Sequence, residues 1–524
     1  MKRLGARPDA ARSRARLGRR AGAAAFSALL GAALAAGCGR SPRSSKDETL
    51  TLAVRSDVTG IFPNAPIINE SFTLDVNANV FEGLVRLDRN LNAEPAIAER
   101  WENPDERTFV FSLKKGLRFS DGSPVTSKDV VASLNAALER PFVTRDTLQA
   151  IESVEAMGPD RVRIRTRSAY PVLLAHLPRG FVLPAAALAQ KPVPPIGTGP
   201  YRIESHTPGR ELVLARSPTF RGPAPAFARV RFLVRPGDKE RVDALLSGEA
   251  QLADSVPLDA IDRLTKTPGV RVLSRPGLRV LFLAFWMPNG PFADARVREA
   301  VDLALDREEL IRRVFGGRSV PASQLVPPAV AGFDPAIPLT RPDRAKARRL
   351  LAEAGFAKGL AVRLDGPNNR YVNDAEILKE VARQLADVGI SVTPNAMPKA
   401  DYFALLAAHR SRFYLLGWAC ETGEAGDALD ALVHSPSHGL LGSQNYQGLA
   451  DPELDRLIDE SNRSALPSGR VALLAQALQR VAALRPVVPI EIQTESIALS
   501  SGLRWDAPLS LALRVYDMSP APTR

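Results

Sequence analysis

Hydrophobic positions along this chain switch repeatedly between a period of two and a helical period. Residues 51–55 read as a first strand. From 108 to 113, Phe109, Phe111 and Leu113 fall on one face of a second. Thr126 followed by Asp129 resembles a capping box, and Val130, Leu134 and Leu138 continue at helical spacing. Val162 and Ile164 alternate with Arg161, Arg163, Arg165 and Arg167, which reads as a solvated strand face rather than a wall for an anionic ligand. Residues 279–286 form an apolar strand, and Val297, Val301, Ala304 and Ile311 line a helix that ends at Gly316-Gly317.

The clearest unit spans residues 360–418. LAVRLDG is a strand, Ile377, Val381, Leu385 and Val388 mark a helix closed by Gly389, and residues 390–392 return as a strand. DYFALLA is the next helix and FYLLGW the third strand. Strand–helix–strand–helix–strand predicts a parallel sheet with right-handed crossovers. Such sheets bind ligands beyond the carboxyl ends of their strands. There stands GWACETGEAGD (417–427), with one indole, a cysteine, two glutamates and an aspartate.

The passage KPVPPIGTGPY (191–201) breaks the periodicity. Its prolines forbid helix, and Gly197 and Gly199 permit a sharp backbone route, so it reads as a crossing between lobes. It is not a dinucleotide loop, because Pro200 stands where the phosphate-binding helix would begin and the third glycine is absent.

At 524 residues the chain exceeds what a single core accommodates, and 45% hydrophobic with 24% charged residues is an ordinary globular composition. The amino-terminal end differs. Lys2, Arg3, Arg7, Arg12, Arg14, Arg16, Arg19 and Arg20 precede a small, apolar run over residues 21–36, the pattern of a secretory signal peptide over 1–37. With Asp9 this leader holds about +7 of the formal +12, and the subtraction removes the case for nucleic-acid binding. Of the two cysteines, Cys38 follows Leu34-Ala35-Ala36-Gly37, which resembles the lipobox of bacterial lipoproteins, whose cysteine is acylated. Residues 38–48 then form a lipidated tether, and Cys420 has no disulfide partner.

Several blocks resemble the family 5 extracellular solute-binding proteins, the dipeptide, oligopeptide and nickel receptors of ABC transporters. They are LNAEPAIAERWENPDERTFVFSLKKGLRFSDGSPVTSKDV (91–130), IGTGPY (196–201), ALLSGEAQLADSVP (244–257), PFADARVREAVDLALDRE (291–308) and RAKARRLLAEAGF (344–356), in the family's order. The resemblance implies an α/β fold of the type II periplasmic-binding-protein class, with two large lobes, an extra inserted lobe and a ligand cleft between lobes. Lobe I is expected over 49–70, 190–272 and 485–524, the inserted lobe over 71–189 and lobe II over 273–484, with crossings near 191–200 and 486–489.

In the family's dipeptide receptors an acid just after a Gly-Trp pair holds the peptide ammonium, and an arginine about fifty residues earlier holds its carboxylate. Position by position these fall on Glu421, a glutamate where the family has aspartate, and on Arg370. Trp418 would wall the ligand, and Glu424 and Asp427 are further candidates for the ammonium. A zwitterion stripped of water must meet both charges, and arginine's planar fork suits a carboxylate. Cys420 reads as a small apolar residue. His434 and His438 sit four apart with Pro436 between them, which argues for a loop rather than a metal face.

The implied protein is a lipid-anchored, monomeric receptor of the periplasm or cell envelope. It would deliver a small peptide or peptide-like solute to inner-membrane ABC permease subunits, with no nucleic-acid partner. Nickel chelate, haem or oligosaccharide binding, or a receptor without transport, are the alternatives. HExxH, GxSxG and GKS/GKT patterns are absent, so catalytic residues, metal and cofactor are expected to be none.

Overall fold

A computed structural model describes residues 49–63, 71–139, 148, 150–437, 441–464 and 466–522. The leader, Cys38, the tether and His438 lie outside the described residues.

One eleven-stranded sheet dominates. In spatial order its strands are Ile390–Met397, Leu360–Pro367, Phe413–Ala419, Val270–Phe285, Val487–Ser500, Leu252–Ala253, Thr49–Val54, Arg229–Val234, Glu211–Arg216 and Tyr201–Thr207; Val320–Pro321 adds onto Val487–Ser500. The expected strand–helix–strand–helix–strand unit is present. Leu360–Pro367 runs parallel to both Ile390–Met397 and Phe413–Ala419, with helices Asp374–Ala386 and Lys399–Ala407 between them. The greasy character of FYLLGW has a simple cause. Phe413 and Leu415 enter a core with Ile377, Val381 and Leu385, while Tyr414 and Leu416 enter another with Tyr402 and Leu429. A strand covered on both faces is apolar at every position.

The helix expected over 297–311 is two helices, Ala295–Ala304 and Arg307–Phe315. Asp306 breaks the run: its side chain accepts the Glu309 N–H, so it caps a new helix, and Gly316 closes that helix at φ 59°. At residue 126 half of the expected capping box forms, and the Thr126 hydroxyl donates to Asp129 Oδ2 at 2.7 Å. The Thr126 backbone N–H donates to Asp129 Oδ2 at 2.8 Å, and Asp129 Oδ1 also accepts the Ala185 N–H at 2.8 Å.

A separate four-stranded antiparallel sheet contains Ala98–Asp105, Thr108–Leu113, Arg161–Thr166 and Ile151–Ala156, in that order. Val162 and Ile164 point into its core with Phe109 and Phe111. The arginines between them pair outward, Arg161 with Glu102 at 2.8 Å, Arg163 with Glu155 at 3.3 Å and Arg165 with Glu152 at 3.4 Å. This is the solvated face.

The two long strands, Val270–Phe285 and Val487–Ser500, pair with each other along most of their length. Their outer halves, 270–276 and 494–500, pair directly, and so do their inner halves, 280–284 and 487–492; the register shifts between Pro276 and Val280. Glu491 lies on the inner half and is fully buried. It accepts a hydrogen bond from Ser319 Oγ, and its Oε1 has no partner among the described residues. Burial pushes its carboxyl up to about 7. The folded protein therefore keeps a proton that the unfolded chain sheds near pH 4.5. Stability from this group is full at acid pH and declines as pH rises toward 7. Glu491→Gln is expected to melt several degrees above wild type at pH 8 and to converge with it near pH 5, read by calorimetry. A constant difference across that range would exclude this origin.

Candidate functional site

The carboxyl ends of the three parallel strands deliver residues to one place. Asn369, Arg370 and Tyr371 follow the strand ending at Pro367, Lys399 follows the one ending at Met397, and Glu421 follows the one ending at Ala419. Arg370, Tyr371 and Lys399 line a cavity of about 1090 Å³; Glu421 lines a neighbouring one of about 260 Å³. The two share Ser71, Asp75, Arg279, Glu495 and Leu511 on their walls, so they meet at a waist. The larger volume is that of a small-molecule pocket.

The loop bearing Arg370 is fixed by Asp374, whose Oδ2 accepts the backbone N–H of Arg370 at 2.8 Å and of Tyr371 at 3.0 Å. The Arg370 guanidinium carbon stands 5.6 Å from the Tyr371 ring centroid and that of Arg279 stands 6.0 Å from it. One tyrosine is thus flanked by two cations. Tyr371 in turn packs on Gly417. A Cβ there would meet Tyr371 Cε1 at 2.9 Å and Leu281 Cδ2 at 2.4 Å, and the Gly417 N–H donates to the Tyr371 hydroxyl at 3.0 Å. The glycine of the Gly-Trp pair is there for this close approach.

Glu421 is already engaged. Arg179 donates to its Oε2 at 2.7 Å and Ser71 Oγ to its Oε1 at 3.3 Å, and both charged side chains are part-buried. Glu424 and Asp427 do not line either cavity. Glu424 is tied to the buried Arg470 at 2.7 Å. Asp427 Oδ2 accepts the Thr422 N–H at 3.3 Å; burial pushes its carboxyl up, against the pull of Arg179. Trp418 is also off both walls. Alternation along its strand turns it to the side of Tyr414 and Leu416, where it packs half-buried and its Nε1 finds no acceptor among the described residues. Cys420 is fully buried in the same core, and burial pushes its thiol far up, so it stays neutral. His434 is buried with Nδ1 2.6 Å from the Ser435 carbonyl. Among the described residues no three His, Cys, Asp or Glu side chains gather closely enough to hold a metal.

Sequence reasoning passed over Arg179, Arg279, Tyr371 and Glu495. Arg279 and Glu495 stand on long strands that also carry Arg271 and Arg275, and Glu491, so no lone charge marked them out. Burial pushes the Glu495 carboxyl up to about 7, with Arg279 pulling it down and Glu421 pushing it up. Among the described residues no helix is long and apolar enough to cross a membrane.

Residues 92–439 match the profile of the bacterial extracellular solute-binding proteins, family 5 Middle. The glutathione-binding protein GsiB of Escherichia coli K12 is 26% identical over 471 residues, covering 87% of this chain and 91% of that protein. In fold the chain is similar to the Helicobacter pylori periplasmic binding protein DppA in complex with the peptide STSA. The TM-score is 0.80 with 21% identity, over 90% of this chain and 98% of that one. It is also similar to Staphylococcus aureus NikA in complex with Ni(L-His)2, with a TM-score of 0.75 and 20% identity over 90% and 100% of the two chains. The fold is that of the type II periplasmic binding proteins.

Proposed function

The chain belongs to the family 5 bacterial extracellular solute-binding proteins, substrate-binding components of ABC transporters, and on that premise we propose that it captures a peptide-like solute for a membrane permease. The observation that carries this reading is the opposition of charges along one continuous cleft. Arg370 faces the larger cavity and Glu421 the smaller, with a shared waist between them. A zwitterionic chain laid through the waist places its carboxylate toward Arg370 and its ammonium toward Glu421. Each charge then meets its opposite as water is expelled. The lobes are those of the sequence division at 49–70, 190–272 and 485–524, at 71–189 and at 273–484, and the solute closes them on one another.

The relatives named above bind glutathione, a tetrapeptide and a nickel–histidine complex, and these define the first probes. Dipeptides, tetrapeptides, reduced glutathione, Ni(L-His)2 and disaccharides are compared by thermal shift, because a ligand raises the melting point by mass action. Peptides or glutathione are expected to raise it by several degrees. A response confined to the nickel complex or the sugars overturns the peptide-like reading.

Acylation of Cys38 anchors the protein at the cell envelope in this reading. The exported wild type is expected to fractionate with membranes and Cys38→Ala to become soluble. Wild type recovered wholly soluble, with Ala36 or a later residue as its free amino terminus, excludes the anchor.

A further inference from the structure

Glu495 lies at the waist, on the walls of both cavities. It sits on the long strand Val487–Ser500 opposite Arg275, beside the shifted register of its neighbour. Its carboxylate rests on Gly277, where an added Cβ would stand 3.0 Å from Glu495 Oε1. Among the described residues its side chain makes no hydrogen bond and no ion pair. Every other acid near the waist has a partner in the fold. Glu421 is held by Arg179 and Ser71, and Asp75 accepts the Leu513 N–H at 2.9 Å. Arg279, the guanidinium facing Glu495 from the adjacent strand, instead reaches the Gly417 carbonyl at 3.4 Å and Ser71 Oγ at 3.5 Å.

The side chain is half-buried, and a carboxylate partly withdrawn from water with no protein donor to accept from is costly to the empty protein. A group bearing several N–H donors and a positive charge satisfies it. Glu421 alone cannot supply that charge, since Arg179 neutralises it. We propose that Glu495 receives the solute's primary ammonium together with Glu421, and that it supplies the unbalanced negative charge that selects for a free amine. This rests on the peptide-like reading above. An ammonium carries three donors, enough to reach both carboxylates.

The raised carboxyl gives the proposal a second face. Glu495 near 7 must ionise to hold a cation, so binding strengthens as pH rises from 5.5 to 8. The groups facing it are Arg275 and Arg279 from the neighbouring strand, Glu421 from the loop after residue 419, and Ser71 and Asp75 from helix Ser71–Asn77. Of these Glu421 is paired with Arg179 at 2.7 Å.

The test offers wild type, Glu495→Gln and Glu495→Asp a casein peptide digest, once untreated and once amine-acetylated. Peptides retained through gel filtration are counted by mass spectrometry, and folding is verified by melting. Wild type and Glu495→Asp are expected to retain at least tenfold more untreated than acetylated peptide, and Glu495→Gln to retain the two alike. Wild-type retention is expected to rise severalfold from pH 5.5 to 8, and that of Glu495→Gln to stay flat. A tenfold preference kept by Glu495→Gln overturns the proposal. Equal retention of both digests by wild type also overturns it while leaving peptide capture standing. Retention of neither digest by wild type overturns peptide capture and this proposal with it.

Discussion

Glu421→Gln is expected to weaken binding of a zwitterionic peptide by about 2–5 kcal/mol, in the lower half of that range. Two effects add. The substitution removes one carboxylate from the ammonium end of the cleft. It also leaves the Arg179 guanidinium, now 2.7 Å from a neutral amide rather than an anion, facing an incoming cation. Partial exposure of both side chains, 21% and 30%, sets the effect below that of a fully desolvated pair. The control is chemical. Amine acetylation of the peptide is expected to hurt wild type more than the glutamine variant, because the variant has lost one of the two carboxylates that meet the ammonium and turns the unpaired Arg179 toward it. Isothermal titration at fixed salt decides it. An affinity within threefold of wild type would mean that Glu421 serves only to bind Arg179.

The largest stability effect is expected at Gly197, in the GTGPY stretch. A Cβ there would lie 2.1 Å from the Val80 carbonyl oxygen and 2.9 Å from Phe81 Cδ1. The Val80 oxygen cannot retreat freely, since it accepts the Gly199 N–H at 2.9 Å, and the Tyr201 N–H is bound to Asn79 in the same turn. Gly197→Ala therefore forces two backbone segments apart. It is expected to cost about 3 kcal/mol, at the upper end for an overpacked site. Pro195→Ala, two residues away and exposed, is the comparison and is expected to change little. Equal denaturant midpoints for the two variants would refute the steric argument. Pro200 and Phe81 both line the smaller cavity, so Gly197→Ala is also expected to weaken binding.

How much of this could be read beforehand depends on how local its cause is. The parallel unit over 360–418 was legible because its helices are amphipathic and its strands are buried on both faces, which leaves distinct periodic marks. The break at Asp306 was missed because the apolar spacing on either side continues nearly in phase, and a single cap overrides it. For the site, the position of the loop bearing Glu421 beyond a strand end followed from topology, while Arg370 came from the family resemblance alone. The placement of Trp418 did not follow. Its side of the strand is set by parity with Tyr414 and Leu416, and the core on that side is assembled from residues distant in sequence. The same holds for Arg179, which reaches Glu421 across 242 positions. Arg279 and Glu495 did not stand out either, because each shares its strand with other charges, Arg271 and Arg275 or Glu491.

The order in which the main sheet uses the chain has a consequence for how the molecule comes into being. Thr49–Val54 pairs with Arg229–Val234 and Leu252–Ala253, and Leu252–Ala253 is bounded on its other side by Val487–Ser500. Neither half of the sheet is closed until that late strand arrives, because it also covers the edge of Val270–Phe285. Pairings this distant in sequence are slow to form, and until they form two strand edges stand open. A nascent or truncated chain lacking residues after 486 would hold most of its apolar strands without their partners. The last long strand is thus the piece that closes both halves of the sheet, and a chain truncated before it is expected to aggregate through those open edges.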